Sequence, residues 1–175
     1  MSGPFSLPLP DDWLPGEGPH LGAMVVNLQR GGPLERHIRP TEWRLLVDAL
    51  ADGGMEPGDL YVTSLIKAPG RDALLSEGLA DISFAYLADE VQHTVPRFIL
   101  ALGQQVFTAL TGSELELPLY RGIWQRLDER YDWDEALVLG TYAPADVLRY
   151  TAKMAPFRRD AAEFARAWSS KRTAA

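Results

Sequence analysis

The chain has no cysteine among its 175 residues. That one absence removes disulfides, thiolate metal sites, iron–sulfur clusters and cysteine nucleophiles together, and it fits a reducing, cytoplasmic setting. No apolar run is long enough to span a bilayer, so no membrane association is expected. The opening MSGPFSLPLPDDW carries neither the basic region nor the apolar segment of a secretory signal. Histidine is scarce. His20, His37 and His93 stand alone, none paired with another at metal-ligand spacing, and no metal site is expected. Positive charge is also short: the net charge is −7, which argues against a generic binder of nucleic acid. There is no internal repeat, low-complexity tract or interdomain linker.

What charge there is falls unevenly. From Thr141 to the end there are seven Lys/Arg against three Asp/Glu, and from Leu28 to Arg44 four Arg against two Glu. The acids gather in SELE and in DERYDWDE, residues 128–135. A local basic face on an acidic protein is one reading; a set of solvated helix faces is the other.

Residues 1–22, rich in proline and glycine, read as an extended arm laid on the domain through Phe5, Leu7, Leu9 and Trp13. A single domain follows over 23–175. AMVVNL, DLYVTSLIK, RFILALG and ALVLGTY are short apolar strands. Between them lie helical patterns: one from an N-cap at Thr41 to Gly53, one ending near Thr94 with Leu79, Ile82, Tyr86 and Val91 as its stripe, and QQVFTALTG. PLYRGIWQRLD reads as a hairpin or irregular strand around Gly122, and two helices, from Pro144 and from about Pro156, close the chain. Strands alternating with helices predict an α/β sandwich with a mainly parallel sheet. Ligands of such sheets lie at the carboxyl ends of the strands, here NLQRGGP, TSLIKAPG, LGQQ and TYAPAD. In QRGGP two glycines allow close backbone approach, Arg30 adds charge, and Gln29 can bond a base edge or orient water; a surface loop is the competing reading. LGQQ offers backbone amides at a helix start, or only a tight turn.

Four stretches in this order, YVTSLIKAPG, PRFILALGQQVFTALTG, YRGIW and TYAPADVLR, resemble the uracil-DNA glycosylase superfamily, most closely its iron–sulfur-cluster (family 4-like) branch. The resemblance runs roughly from Met24 to Trp168. It implies a three-layer α/β/α sandwich around a central, mainly parallel four-stranded sheet, with a DNA groove across the strand ends, and DNA as the partner. The departures matter as much. The family's glycine-glutamate-alanine-proline-glycine motif is replaced by NLQRGGP, with Asn27 or Leu28 near the expected acid and Gln29 the nearest polar substitute. The base-reading asparagine corresponds to Ser64, the motif histidine to Ala143, and two cluster cysteines to Ala68 and approximately Ser83. No iron–sulfur cofactor is therefore expected.

Carried over residue by residue, the resemblance implies Gln29 and Asp146 as catalytic substitutes, with Asn27, Ser64 and Ala143 against the base. It places Arg30, Gly31, Gly32, Lys67, Gly103, Gln104, Tyr142, Pro144 and Arg149 along the DNA. An acid in a first helical turn also favours the helix dipole, which is the plainer reading of Asp146. Three functions follow: a DNA glycosylase of altered base specificity, a catalytically inactive DNA-binding descendant, or a protein-interaction module using the arm or the acidic 128–135 segment.

Overall fold

A computed structural model describes residues 6–29, 37–68 and 77–174, without the side chains of 77–80. The strands are β1 (Ala23–Gln29), β2 (Tyr61–Ile66), β3 (Phe98–Leu102), β4 (Trp124–Arg126) and β5 (Leu137–Thr141). The helices are α1 (Pro40–Ala51), α2 (Glu77–Thr94), α3 (Gln104–Thr111), α4 (Leu117–Tyr120), α5 (Pro144–Arg149) and α6 (Met154–Thr173). They build one sheet of five strands in the order β2-β1-β3-β5-β4. The first four are parallel, and the short β4 runs antiparallel on β5. The expected four-stranded sheet thus gains an edge strand, which forms where the sequence suggested a hairpin or irregular strand around Gly122.

Alternation along each strand sorts the core into two layers. Ala23, Val25, Leu100 and Leu139 pack with Leu46 and Leu50 of α1, Val147 of α5 and Phe157, Phe164 and Trp168 of α6. Met24, Val26, Ile99 and Val138 pack with Leu87 and Val91 of α2 and Val106, Phe107 and Leu110 of α3. All five residues of β3 are buried because both of its faces are covered.

Two helix details differ from expectation. α1 starts at Pro40 behind Arg39, with no side-chain cap. Proline preset for the first helical position makes a capping Thr41 unnecessary. Of the expected α2 stripe Tyr86 and Val91 are buried, together with Ser83, Leu87, Asp89, Glu90 and Thr94, whereas Ile82 is 51% exposed.

A charged group lies at the centre of that stripe. Lys67 and Glu90, both fully buried, pair at 2.5 Å. Glu90 also accepts from Thr63 Oγ1 (2.8 Å), Tyr61 OH (3.1 Å) and the Gly16 amide (2.7 Å). Burial pulls the Lys67 ammonium below its ordinary pKa, opposed by the Glu90 charge and hydrogen bond.

Neighbouring residues of α2 and β2, together with the Gly16–Glu90 bond, anchor the chain ahead of β1. Ser6 and the Leu7 amide donate to Asp89, Tyr86 OH donates to Pro8 O, and Trp13 packs on Tyr86 with ring centroids 5.2 Å apart. Glu17 forms an antiparallel bridge to Val62 of β2, with bonds of 2.9 and 2.7 Å. Phe5, expected as an anchor, lies outside the described residues, and Leu7 is exposed.

Candidate functional site

From β1 the chain turns to β2 on one side, then crosses back through α2 to β3 on the other. Adjacent strands whose connections leave in opposite directions open a crevice at their carboxyl ends. A cavity of about 490 Å³ lies there. Its walls are Asn27, Leu28 and Gln29 from β1, Leu102 to Val106 from β3 and α3, Ala143, Ala145 and Asp146 from α5, and Arg39 and Glu42 from the start of α1.

Asn27 stands opposite Ser64 in the β1–β2 register. Its amide nitrogen donates to the carbonyls of His37 (2.9 Å) and Gln29 (3.2 Å). Gln29 closes β1 at the cavity wall. Gly103 turns β3 into α3 at φ +97°, a conformation that disfavours any side chain. A Cβ there would also stand 3.4 Å from that of Ala143. The Gly103 amide donates to Thr141 O (2.9 Å), which locks the β3 and β5 loops together. The Gln104 side chain bonds inside its own region, accepting from the Leu117 amide and donating to Leu115 O (3.0 Å) and Thr108 Oγ1 (3.1 Å).

Ala143 occupies the N-cap of α5 and supplies no side-chain cap. Pro144 is buried at the first helical position. Asp146 is 54% exposed, with Lys153 Nζ at 3.7 Å. Tyr142 is flanked by the Arg121 guanidinium (5.6 Å to the ring centroid) and by Lys153 Nζ (4.9 Å). Lys153 also stands 5.0 Å over Tyr150, and Arg149 lies 5.4 Å over that same ring. Arg121 is held through both oxygens of Asp160, at 2.8 and 2.9 Å, and Asp160 accepts from Thr141 Oγ1 (2.9 Å). The arginine of YRGIW therefore braces the end of β5 against α6.

The cavity thus gathers Asn27, Gln29, Gly103, Gln104, Ala143 and Asp146. Tyr142, Pro144 and Arg149 stand on or beside α5 without lining the cavity, and Ser64 and Lys67 are turned away from it. Ser64 is fully buried, with its hydroxyl 2.9 Å from His37 Nδ1. Lys67 is fully buried and bonded to Glu90, Thr63 and Ser64 O, so its ammonium faces no groove. Arg30, Gly31 and Gly32 lie outside the described residues.

Arg39 and Glu42 are additions that the strand ends alone do not suggest. They belong to the helix after the first loop, and only the return of α1 over the sheet brings them to the cavity. Burial pushes the Glu42 carboxyl above its ordinary value, while the charge and backbone bond of Arg39 oppose the rise. The excess of arginine in 28–44 was the one trace of them in the sequence.

The model of the uracil DNA glycosylase superfamily matches residues 34–170. The chain belongs to that superfamily. It is similar to a type-4 uracil-DNA glycosylase of Pyrobaculum aerophilum, with 28% identity over 165 residues, covering 86% of this chain and 81% of that protein. The superfamily's parallel sheet between helical layers is the one described above. The cluster implied by the family 4-like resemblance does not fit the residues present. Ala68 and Ser83, which the resemblance sets at or near two cluster positions, are buried and carry no sulfur, the chain supplies no thiolate, and no three His, Asp or Glu side chains gather as metal ligands among the described residues.

Proposed function

We propose that this chain binds DNA and receives a flipped nucleotide in the cavity between β1, β3 and α5, as a glycosylase with impaired uracil excision and altered base specificity in DNA repair or modification. The carrying observation is the convergence of Asn27, Gln29 and Asp146 on one cavity at the switch point of the sheet. Cleaving the bond between base and sugar passes through an oxocarbenium-like state. It needs a donor toward the departing base and a group that holds the attacking water.

In this reading Gln29 orients the water. Asp146, at the mouth of the cavity, sets a carboxylate toward the cationic sugar. Asn27 contacts the base. Tyr142, Arg149 and Lys153 meet the DNA backbone beside the cavity. The donor is the missing part: Ala143 has none, and Ser64 is turned to His37. Loss of one preorganised donor typically costs ~10²–10³ in rate, which is why uracil excision is expected to be slow.

The test is a panel of single- and double-stranded oligonucleotides carrying uracil, hypoxanthine, xanthine or hydroxymethyluracil, each treated with alkali after incubation. Strand breaks at one modified base, lost in Gln29→Ala and Asp146→Asn, are the expected result. Absence of breaks on every substrate removes the catalytic part. A salt-sensitive gel shift would then leave the second reading, a catalytically inactive DNA-binding protein, which the buried Ser64 and the bare Ala143 favour. Absence of DNA binding even at low salt would overturn both and point to protein contacts through the N-terminal segment or residues 128–135.

A further inference from the structure

His37 takes no part in the proposed chemistry, yet it is 2% exposed and bonded in three directions. Its Nε2 lies 2.7 Å from Pro15 O. A carbonyl only accepts, so Nε2 carries a proton; in the neutral ring Nδ1 then accepts from the Ser64 hydroxyl at 2.9 Å, and in the charged ring it donates to it. Its own carbonyl takes the Asn27 amide nitrogen at 2.9 Å. Three separate stretches of chain therefore meet at one residue: the N-terminal segment, the end of β2 and the end of β1.

The consequence falls on Asn27. Both partners of its nitrogen are carbonyl oxygens, His37 O and Gln29 O. That assigns the NH₂ end without ambiguity and leaves Oδ1 as an acceptor that no described residue uses. An asparagine free to rotate offers a ligand either a donor or an acceptor; this one offers an acceptor. The amide also stands directly across the strand pair from Ser64, the position matched to the superfamily's base-reading asparagine.

We propose that His37 is a positioning residue: it fixes Asn27 as a hydrogen-bond acceptor in the cavity, so that the site selects a base whose facing edge carries an N–H donor. The selectivity rests on the base-binding role proposed above, whereas the positioning does not. With the ring tied to Pro15 O, the N-terminal segment is part of the device.

Two measurements test it. The Asn27 side-chain NH₂ resonances, assigned by their loss in Asn27→Ala, report the positioning without any ligand. They should move to free-amide values in His37→Ala, move partway in Ser64→Ala, and stay near wild type in His37→Gln, whose amide can still donate to Pro15 O. If His37→Ala does not fold, Ser64→Ala and His37→Gln carry the comparison. Resonances unchanged in folded His37→Ala or in Ser64→Ala overturn the positioning.

The selectivity is read from affinity for duplexes carrying 2′-fluorodeoxyuridine, which resists cleavage, or its N3-methyl derivative. Wild type should prefer the first by roughly tenfold, as expected when a buried acceptor loses its donor. His37→Gln should keep the preference and Ser64→Ala should reduce it. Equal binding of the two, with both bound more tightly than unmodified duplex, overturns the selectivity. If neither is bound more tightly than unmodified duplex, the base-binding role fails instead, and the resonances alone decide on His37.

Discussion

Ala143 leaves the start of α5 without a side-chain cap and sets a methyl group, with no donor of its own, at the cavity wall. Its Cβ faces Gly103, so a larger side chain has the cavity itself to extend into. Ala143→His should raise uracil release from single-stranded substrate by roughly ten- to a hundredfold, since one oriented donor is typically worth ~10²–10³. Single-turnover kinetics on uracil oligonucleotides measure it, and an unchanged rate would mean that the rest of the site is not competent.

Glu42 makes a different prediction. Burial raises its carboxyl above the ordinary value of 4.5, so folding disfavours the ionised form. The associated stability is complete while the group is protonated, below that ordinary value, and is lost as pH rises through the folded-state value. Glu42→Gln should therefore melt higher than wild type at about pH 7 and level with it at about pH 4, as thermal unfolding followed by circular dichroism would show.

At the scale of elements, α2 and β2 are joined by ions rather than by oil alone. Glu90→Ala strands Lys67 without a counter-charge in a fully buried place, and a broken buried pair commonly costs about 3–5 kcal/mol. Urea unfolding should show a loss of that size. Hydrogen exchange should show the Gly16 amide, which bonds to Glu90 at 2.7 Å, losing protection with it.

The sequence foretold the elements better than their edges. β3 and β5 were legible because continuous apolar runs mark strands covered on both faces. β4 was legible only as a hairpin or irregular strand around Gly122, because WQR is three residues long and its pairing depends on β5 bringing Val138 opposite Gln125. The α2 stripe was legible at Tyr86 and Val91 and wrong at Ile82 for a related reason: counting apolar residues favours Ile82 and passes over Ser83 and Glu90, which are buried. The Lys67–Glu90 pair, 23 residues apart, is visible only once β2 and α2 have packed. By the same logic Asn27, Gln29 and Asp146 could be found at strand ends, while Arg39, Glu42 and the His37 tether could not.

The whole molecule carries −7, yet its strand-end face presents Arg39, Arg149 and Lys153 beside the cavity. A larger cavity of about 710 Å³ is walled by Asp128, Glu129, Asp132 and Asp134. It sits where β4 and β5 meet at Arg126 and Leu137, the amino end of β5, and so at the opposite edge of the sheet. Glu42 and Asp146 share the first cavity and Arg126 the second, so what a polyanion would meet at the strand ends is the local group of Arg39, Arg149 and Lys153 rather than a uniform field. Binding of plain duplex should weaken steeply with salt, and Lys153→Ala or Arg149→Ala should each lower the slope of log K against log salt by about one. Fluorescence anisotropy across a salt series tests this.

The bridge between Glu17 and Val62 has a consequence apart from DNA. β2 is the outer strand of the sheet, and an uncovered outer strand is a template on which a second chain can pair. The segment ahead of β1 occupies that position, and at the far edge β4 is only three residues long. Cutting the chain after residue 20 would leave Val62 with an open amide and carbonyl facing solvent. The shortened protein should form concentration-dependent oligomers through strand addition, visible in light scattering. That outcome would assign to the segment around Glu17 the task of keeping the sheet from growing across molecules.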